Sequence, residues 1–408
     1  MGLLLVLWRA GMGLVPADVV AVTVAAVLAY VANRVVSFQR DPFVRWVHQP
    51  SAFLAVAALA GLVDVAVLSA TFDLGAPLLV AKVLAVAAAA VVRVLAYRWV
   101  LLRGVRRRQE RRADRPPSPG ELRLSVVVPA YAEQGRIAET IARLAAALAD
   151  VGRDGGVELL VVDDGSPDGT VPAARDAAAR LRAGDLAAGA DRLGRLPGVE
   201  VVVLPQTPNR GKGAAVRAGM LAARGRTVAF TDADLAYSPD QLLVVLAAIE
   251  SGWDVVVGSR HHRDATTVAP PRRLREVGSR VVNTFTMALL LGQYRDTQCG
   301  LKGFRSDVAR LLFGQSRVDG FAFDVELFHL AERYELSLVE VPVRVQNSER
   351  STVRVARDVS RLVRDLFRIR GYAKRGLYDD RAAEQLLAAR ETSAEPRQPA
   401  GRADPACR

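Results

Sequence analysis

The apolar positions of the chain follow two different patterns. Early in the sequence, three apolar runs, at about 16–38, 51–72 and 76–102, are each long enough to cross a bilayer, which takes about 20 residues. A shorter apolar run precedes them and is interrupted by Arg9. Because it lacks the charged start and the small-residue cleavage site of a secretory signal, it predicts a short or truncated first helix. The number and length of these runs argue against buried helices of a soluble domain and predict an all-α transmembrane domain over residues 1–103.

The arginines around these runs predict how the chain crosses the membrane. The segment 34–50 carries three arginines, and "RGVRRRQERR" follows the last run. The segments 10–18 and 72–77 contain no lysine or arginine. Since positively charged connections stay on the cytoplasmic side, we expect a multi-pass protein of the cell membrane. Segment 34–50 and everything after residue 103 would face the cytoplasm.

The second pattern begins after a Pro-rich break, "ADRPPSPG", which marks 104–121 as a linker. Short apolar runs then alternate with helix-like stretches; the runs are "RLSVVVP", "VELLVVDD", "VEVVVLP", "RTVAFTDAD" and "WDVVVGSR". Near-continuous apolar strands alternating with helices predict an α/β domain over 122–345, with a parallel sheet covered on both faces. Ligands of such sheets bind outside the carboxyl ends of the strands. The polar residues at those ends are therefore the candidates for a functional site.

The spacing of the glycines argues against two nucleotide-binding folds. A dinucleotide-binding domain has G-x-G-x-x-G after its first strand, and "PAYAEQGRI" contains no such motif. "NRGKGAA", residues 209–215, looks like a phosphate loop but lacks the G-x-x-x-x-G-K-[ST] spacing. Its Lys212 is either a solvated surface lysine or, since the chain has four lysines and places this one between two glycines, a point charge near a bound ligand.

Two pairs of aspartates lie at predicted strand ends. Asp163 and Asp164 precede "GSPDGT", where an aspartate suits a turn or accepts hydrogen bonds from the base or ribose of a nucleotide. Asp232 and Asp234 follow "RTVAF". Because Ser238 precedes a proline and suits the N-cap of the next helix, this second pair is left over. Hard carboxylate oxygens at this place suit Mg²⁺ or Mn²⁺ shared with phosphates, since such a metal usually takes only one or two protein carboxylates.

The formal charge of +12 comes almost entirely from arginine. Without a zinc-ligand spacing, an RNA-binding signature or a basic patch interleaved with aromatic residues, this charge does not indicate a nucleic-acid partner. The two cysteines, Cys299 and Cys407, cannot form a disulfide framework and fit a reducing compartment.

Seven motifs occur in the order found in family 2 glycosyltransferases: "VVVPAYAEQGRI", "LLVVDDGSPDGT", "NRGKGAAVRAGM", "FTDADL", "VVVGSR", "DTQCGLKGF" and "FAFDVEL". The set closely resembles the dolichyl-phosphate and polyprenyl-phosphate sugar synthases over about 122–345, which implies a GT-A (Rossmann-like) domain. "DTQCG" with "FDVE" is more similar to the glucosyl than to the mannosyl branch. The family usually has Asn before the Glu of the first motif, where this chain has Ala132, so looser contacts near the nucleotide are expected. In residues 1–103, "ANRVVSF" and "AYRWVLL" resemble the GtrA-like family, four-helix membrane proteins associated with moving lipid-linked sugars.

The resemblance implies inverting transfer of a hexose, with glucose from UDP-glucose favoured, to polyprenyl or dolichyl phosphate. The implied nucleotide-sugar-binding residues, with Asp164 preferred over its neighbour, are Pro129, Tyr131, Glu133, Val162, Asp163, Asp164, Lys212, Asp232 and Ala233. The implied catalytic residues are Asp234, Arg260, Arg275 and Asp296, with Asp232 and Asp234 as metal ligands. Arg260, Arg275 and Ser279 are implied to bind the acceptor phosphate. A solvated basic helix face is the alternative for Arg275, Ser279, Arg280 and Asn283. Asp296 is the one good candidate for a base, and we expect it to orient sugar hydroxyls or an arginine instead.

Residues 346–378 predict a basic amphipathic helix. Apolar residues stand at 355, 359, 362, 363, 366 and 367, and arginines at 357, 361, 364 and 368. This arrangement suits an anionic cytoplasmic leaflet. The tail 379–408, rich in Ala, Arg, Glu and Pro, is predicted to be disordered.

Other functions compete with glucosyl transfer. The spacing of the aspartates does not separate UDP-glucose from GDP-mannose as the donor. A non-catalytic component of lipid-linked sugar transport fits the membrane domain but leaves the paired carboxylates unexplained. Processive polysaccharide synthases of the same family usually have a Q-x-x-R-W-type motif and spans after the domain, and this chain has neither.

Overall fold

The computed structural model describes residues 2–32, 50–109, 116–188, 191–192, 194–260, 262, 264–267, 296–345 and 355–379. Within these ranges the helices are α1 (Gly2–Arg9), α2 (Leu14–Ala32), α3 (Pro50–Asp73), α4 (Leu78–Gln109), α5 (Ile137–Ala147), α6 (Ala149–Arg153), α7 (Thr170–Ala183), α8 (Lys212–Ala222), α9 (Gln241–Glu250), α10 (Ser306–Gln315), α11 (Phe323–Arg333) and α12 (Val355–Lys374). The strands are β1 (Leu122–Ala130), β2 (Val157–Asp164), β3 (Ala187–Ala188), β4 (Asp191–Arg192), β5 (Val199–Gln206), β6 (Gly225–Phe230), β7 (Val255–Ser259), β8 (Thr266–Thr267), β9 (Lys302–Arg305), β10 (Leu338–Pro342) and β11 (Arg344–Val345). The chain divides into two compact units, with the boundary between Arg107 and Arg108.

The first unit contains the apolar helices α1 to α4. Helices α2 and α3 pack closely, because Gly61 lies where an added Cβ would be 3.4 Å from Val22 Cγ1. Among the described residues, Leu54–Asp73 is the one helical stretch long and apolar enough by itself to cross a membrane, with a mean hydropathy of 2.1, and Leu14–Leu28 is a shorter apolar helix. The first predicted span continues into residues outside the described part of the chain. The number of spans and their direction therefore stay predictions.

Helix α4 is longer than the sequence pattern predicts. It continues through Gln109, into the segment 104–121 that was expected to be a linker. Arginine is a good helix former, so "RGVRRRQ" extends the helix beyond the apolar run. Residues 116–120 have neither helix nor strand structure, as their prolines and glycine require.

The second unit is built on a seven-stranded sheet with the order β10-β7-β9-β6-β1-β2-β5. The five predicted strands form where the apolar runs lie. The expectation of a wholly parallel sheet is wrong at β9, which runs antiparallel to both β6 and β7. This strand has four residues, all buried, and an added Cβ on its Gly303 would collide with Val245 of α9. A strand so short, with a glycine that lets a helix approach, gives no apolar run to detect.

Both faces of the sheet are covered, as the near-continuous apolar strands predicted. Leu124, Val126 and Val128 of β1 belong to a core cluster that includes buried residues of α5, α7 and α9. Val127 of the same strand faces α8, where Gly219 has no side chain and lets the helix approach. The sheet is thereby fixed from two sides, and its carboxyl edge is a rigid base for the loops that follow each strand.

Helix α12 lies within the segment predicted to be a basic amphipathic helix. Its Ile369 and Ala373 are buried, whereas Phe367 is 58% exposed beside the exposed Arg368. Residues 346–354 and the predicted disordered tail from residue 380 lie outside the described residues.

Candidate active site

The carboxyl ends of β2, β1, β6 and β7 lie along one edge of the sheet, and these strand ends and the loops after them carry most of the predicted site residues. At the end of β1, Pro129 pairs with Val162 of β2. Tyr131, which follows, is half exposed. The next loop residue, Ala132, has a φ of 56° and donates its N–H to Ser166 Oγ at 2.9 Å. This left-handed conformation favours asparagine among non-glycine residues, so it explains physically why the resembled family usually has Asn here.

The two aspartates at the end of β2 hold loops in place. Asp163 accepts hydrogen bonds from the N–H and the hydroxyl of Ser166, which is the turn expected for one member of the pair. Asp164 accepts the N–H of Arg210 at 2.9 Å and that of Gly211 at 2.7 Å. Asp164 therefore fixes the start of α8. Its predicted contact with a nucleotide stays a prediction, and so does that of Asp163.

Lys212 is brought to the edge by this fixed loop. Gly211 has a φ of 111°, and an added Cβ would lie 2.6 Å from the carbonyl oxygen of Asp319, so glycine is required directly before the lysine. Lys212 Nζ lies 2.6 Å from Asp232 Oδ1. Burial opposes the charge of the lysine, but the neighbouring carboxylates Asp232 and Asp324 outweigh it and raise the pKa of Lys212. Lys212 is therefore not a solvated surface lysine, which was one of the two interpretations of the sequence. It is a positive charge held by the neighbouring carboxylates.

Asp232 and Asp234 lie beside each other after β6, with a third carboxylate near them. An added Cβ on Gly300 would collide with the Asp232 carboxylate, so this glycine makes room for it. Asp234 Oδ1 accepts the N–H of Ala236 at 3.1 Å. Burial raises the pKa of Glu133, and the negative charges of Asp234 and Asp232 add to the effect although Arg136 opposes it. The edge therefore brings three carboxylates close together.

The helix after this pair starts later than predicted. Helix α9 begins at Gln241 with Asp240 at the N-cap position, not at Ser238. Ser238 and Pro239 instead form a turn, in which the Gln241 N–H donates to the Ser238 carbonyl at 3.0 Å. Asp232 and Asp234 therefore lie outside the cap, as predicted.

Arg260 and Asp296 form a bidentate pair after β7. Arg260 Nε lies 2.7 Å from Asp296 Oδ2, and Nη2 lies 2.8 Å from Oδ1. The Arg260 N–H also donates to Oδ2, at 3.0 Å. The Asp296 side chain is 2% exposed and that of Arg260 is 35% exposed. Although burial opposes its charge, Asp296 raises the pKa of Arg260, so a permanent cation is presented at the edge. Asp296 contacts an arginine, which was one of the two contacts expected for it.

A buried ion pair, which the sequence pattern does not reveal, lies behind this edge. Lys302 Nζ lies 2.6 Å from Asp324 Oδ1 and 2.6 Å from the carbonyl oxygen of Cys299. The ammonium also lies 5.3 Å from the centroid of the Phe230 ring. Asp324 in turn raises the pKa of Lys212. Lysine and aspartate thus alternate from the core to the edge, and the scarcity of lysine in the sequence was the signal that could have revealed it.

Some residues predicted to bind the nucleotide sugar are buried in the framework of the domain. Val162 is completely buried and packs towards Gly219, so its side chain is part of the core. Ala233 is 4% exposed, and its carbonyl accepts the Thr140 hydroxyl at 2.7 Å. Both belong to the framework that positions the adjacent site residues. Arg275, Ser279, Arg280 and Asn283 lie outside the described residues, so the predicted acceptor helix stays a prediction.

The carboxylates at the edge fit a divalent cation. Asp232 and Asp234 offer hard oxygens. Burial raises the pKa of Glu133, the negative charges of Asp234 and Asp232 add to this, and a cation held there would relieve the repulsion between the carboxylates. Among the described residues there is no group of three or more His, Cys, Asp or Glu that could hold a metal ion. Mg²⁺ usually takes only one or two protein carboxylates and completes its coordination with water and the phosphates of a ligand.

Comparisons with known proteins agree with this arrangement. Residues 125–313 match Glycosyl transferase family 2, and residues 1–102 match the GtrA/DPMS transmembrane domain. Dolichyl-phosphate beta-glucosyltransferase from Drosophila melanogaster is 36% identical over 259 residues, which cover 61% of this chain and 74% of the relative. The protein of that name from Saccharomyces cerevisiae is 30% identical, over 64% of this chain and 78% of its own. Polyprenol monophosphomannose synthase from Mycolicibacterium smegmatis is 30% identical, over 63% of this chain and 89% of its own.

The chain belongs to glycosyltransferase family 2. It is a glycosyltransferase with an N-terminal GtrA/DPMS transmembrane domain, and thus a membrane protein. The two family resemblances noted in the sequence are confirmed.

Proposed function

We propose that this enzyme transfers glucose from UDP-glucose to polyprenyl or dolichyl phosphate, with inversion at the sugar carbon, at the cytoplasmic face of the membrane. The observation that carries the proposal is the placement of two groups at one sheet edge. Asp232 and Asp234 follow β6, and the cation of Arg260, held by Asp296, follows the nearby β7. A donor diphosphate with its metal and an acceptor phosphate each find a suitable partner there.

On the donor side, Asp232 and Asp234 would hold Mg²⁺ or Mn²⁺ against the diphosphate. When bound, the metal would offset the charge that develops on the leaving diphosphate. Lys212 is held 2.6 Å from Asp232 and supplies a second positive charge close to the same place. Glu133, Tyr131 and Asp164 are the proposed contacts of the sugar nucleotide.

On the acceptor side, Arg260 presents its remaining N–H groups while Nε and one proton of Nη2 are occupied by Asp296. A guanidinium fork matches the oxygens of a phosphate. Asp296 fixes the direction of this fork. Arg275 and Ser279 are proposed to complete the phosphate site.

The sugar and the nucleotide are the finer part of the proposal. Relatives from Drosophila melanogaster and Saccharomyces cerevisiae carry the name dolichyl-phosphate beta-glucosyltransferase, and "DTQCG" with "FDVE" points in the same direction. GDP-mannose is the second candidate, because the polyprenol monophosphomannose synthase of Mycolicibacterium smegmatis is matched over 89% of its length.

The test is transfer by the purified full-length protein. UDP-glucose and GDP-mannose, each labelled in the sugar, are offered with polyprenyl phosphate and a divalent cation, and the label is counted after lipid extraction. We expect label from UDP-glucose in the lipid phase. Label from GDP-mannose should not exceed the background given by Asp234→Asn. Label from GDP-mannose alone would support the second candidate, and no label in lipid from either donor would contradict the proposed acceptor.

The topology can be tested by labelling introduced cysteines in intact cells. Cys299 is buried, so a Cys407→Ser background removes the other thiol. Leu74→Cys places a thiol at a position that is 87% exposed between α3 and α4. We expect an impermeant reagent added outside to label position 74 but not a Gln39→Cys thiol, because arginine-rich connections stay in the cytoplasm. Labelling at 39 from outside would contradict the topology.

Helix α12 should bind the membrane surface without help from the spans. We expect a fragment of residues 118–408 to sediment with anionic liposomes at low salt, because Phe367 and Arg368 are exposed beside each other. Arg364→Glu with Arg368→Glu should weaken binding at least about thirtyfold, since each arginine near an anionic surface contributes about 1 kcal/mol. A fragment that stays in the supernatant, or a double variant that binds equally well, would count against this role.

A further inference from the structure

Three charged side chains meet inside the transmembrane unit, each on a different helix. Lys82 of α4 lies 2.5 Å from Asp18 Oδ1 of α2 and also contacts Asp64 Oδ2 of α3. The side chains of Asp18, Asp64 and Lys82 are 0%, 4% and 7% exposed. The proposed transfer of sugar uses none of these residues. Because ionisable residues inside a membrane are costly to place there, they mark a function by default.

The charges of this triad (Asp18, Asp64 and Lys82) do not cancel. Two carboxylates and one ammonium leave a net charge of −1. The other charged residues of α1 to α4 whose side chains the structure describes are Arg9, Asp73 and Arg93, and all three are exposed. The triad therefore holds one negative charge more than its described surroundings balance, in a place where an uncompensated charge is strongly unfavourable.

One oxygen of the triad lacks a hydrogen-bond donor in the part of the chain that the structure describes. Asp18 Oδ2 is buried and has no hydrogen-bond partner among the described residues. The residues before Asp18 and Lys82 are Ala17 and Ala81, which belong with Leu4 and Leu68 to a buried apolar cluster. A buried carboxylate oxygen without a donor, beside an apolar cluster, is a position that a proton would satisfy.

We propose that the triad is a proton-binding site of the transmembrane unit. One proton taken up by the carboxylate pair forms an O–H bond, gives the unbonded oxygen its hydrogen and brings the net charge from −1 to zero. A metal ion fits less well, because the Lys82 ammonium already contacts both carboxylates and repels a second cation, whereas a proton needs a single lone pair. Uptake and release of this proton would change the charge between α2, α3 and α4, and so link their packing to the proton concentration.

The test is infrared spectroscopy of the full-length protein in lipid nanodiscs at pH 7. An ordinary aspartate has a pKa of about 3.9 and is ionised at that pH. The spectrum of the unchanged protein minus that of Asp18→Asn should contain the carbonyl-stretch band of one protonated carboxylic acid, and the band should shift in heavy water. Asp73→Asn, which removes an exposed carboxylate from the end of α3, is the matched control and should give no such band.

A second variant keeps the test decisive if Asp18→Asn does not fold. Asp64→Asn also brings the triad to zero net charge, so we expect the same band to be missing from that variant. A difference spectrum without the band for either variant would overturn the proposal, because the triad would then hold its negative charge unprotonated. Retention of the band in Asp64→Asn would also overturn it, since the proton is required by the excess charge of the pair.

Discussion

Asp234→Asn should lower the turnover at least about a hundredfold, and an excess of chelator should abolish it. The metal that Asp232 and Asp234 are proposed to hold would contribute about several kcal/mol of charge stabilisation to the transition state, and each 1.36 kcal/mol corresponds to about a factor of ten in rate. Asp234 is the better residue to change, because Asp232 also pairs with Lys212. The measurement is the initial rate of sugar transfer to lipid against the concentration of Mg²⁺ or Mn²⁺.

Asp240→Asn is the matched control for this prediction. Asp240 stands in the same stretch of chain, six residues further on, and pairs with Arg344 near the start of α9. We expect its rate and its metal dependence to be unchanged. Full activity of the unchanged enzyme in excess chelator would contradict the metal assignment, and so would an Asp234→Asn variant with normal turnover.

Some residues of the site could be predicted from the sequence and others could not. Asp232, Asp234 and Arg260 could be predicted because they directly follow apolar strands, and the carboxyl ends of such strands meet at one edge whatever the loops do. The location of Asp163 at a turn was equally readable from "GSPDGT". The strand pattern therefore carries both the fold and the main positions of the site.

Contacts between distant segments could not be predicted. The pairing of Asp164 with the Gly211 loop joins positions 47 residues apart, and that of Lys302 with Asp324 joins positions 22 apart. Neither separation in sequence corresponds to a helix or strand period, so only the folded structure brings these residues together. The antiparallel β9 was missed for a related reason, since four residues with a central glycine make a strand only when α9 covers them.

The lysines illustrate why contacts between distant segments could not be predicted from the sequence. Three of the four lysines pair with buried or half-buried aspartates: Lys82 with Asp18 and Asp64, Lys212 with Asp232, and Lys302 with Asp324. In a chain that otherwise uses arginine for its permanent positive charges, the compact ammonium stands where a point charge fits between carboxylates. Composition could single out these positions, but the partners required the structure.

Arg260→Lys should reduce kcat/KM for the lipid phosphate about ten- to hundredfold although the charge is kept. The arginine is proposed to serve Asp296 and the acceptor at once, since Asp296 takes up Nε and one proton of Nη2 and leaves three guanidinium protons for a phosphate. A lysine has one nitrogen and cannot keep this planar fork. The loss of one hydrogen bond to a charged group costs about 1.5–3 kcal/mol, which sets the expected range. Arg344→Lys, at an exposed arginine of β11, is the matched control and should leave kcat/KM unchanged.

The same geometry predicts how the rate depends on pH. A phosphate monoester has a second pKa of about 6, so at pH 7 the proposed acceptor is mostly a dianion and needs no base to become a nucleophile. Asp296 is the candidate base of the sequence analysis, but both of its oxygens accept hydrogen bonds from Arg260. The protein would therefore position the phosphate opposite the leaving diphosphate, so that an α-linked donor gives a β-linked lipid. We expect kcat/KM to rise with pH through about 6 and then to stay level.

The variant Asp296→Asn tests whether Asp296 positions Arg260 or acts as a general base. If Asp296 only aims Arg260, the variant should bind the lipid phosphate more weakly and transfer more slowly, but the rise of the rate near pH 6 should remain, because it belongs to the acceptor. A general base would behave differently, since asparagine cannot accept the proton and the rise would disappear. An Asp296→Asn enzyme with normal acceptor binding and no rise would show that the phosphate is activated by the enzyme, and the mechanism without a base would be wrong.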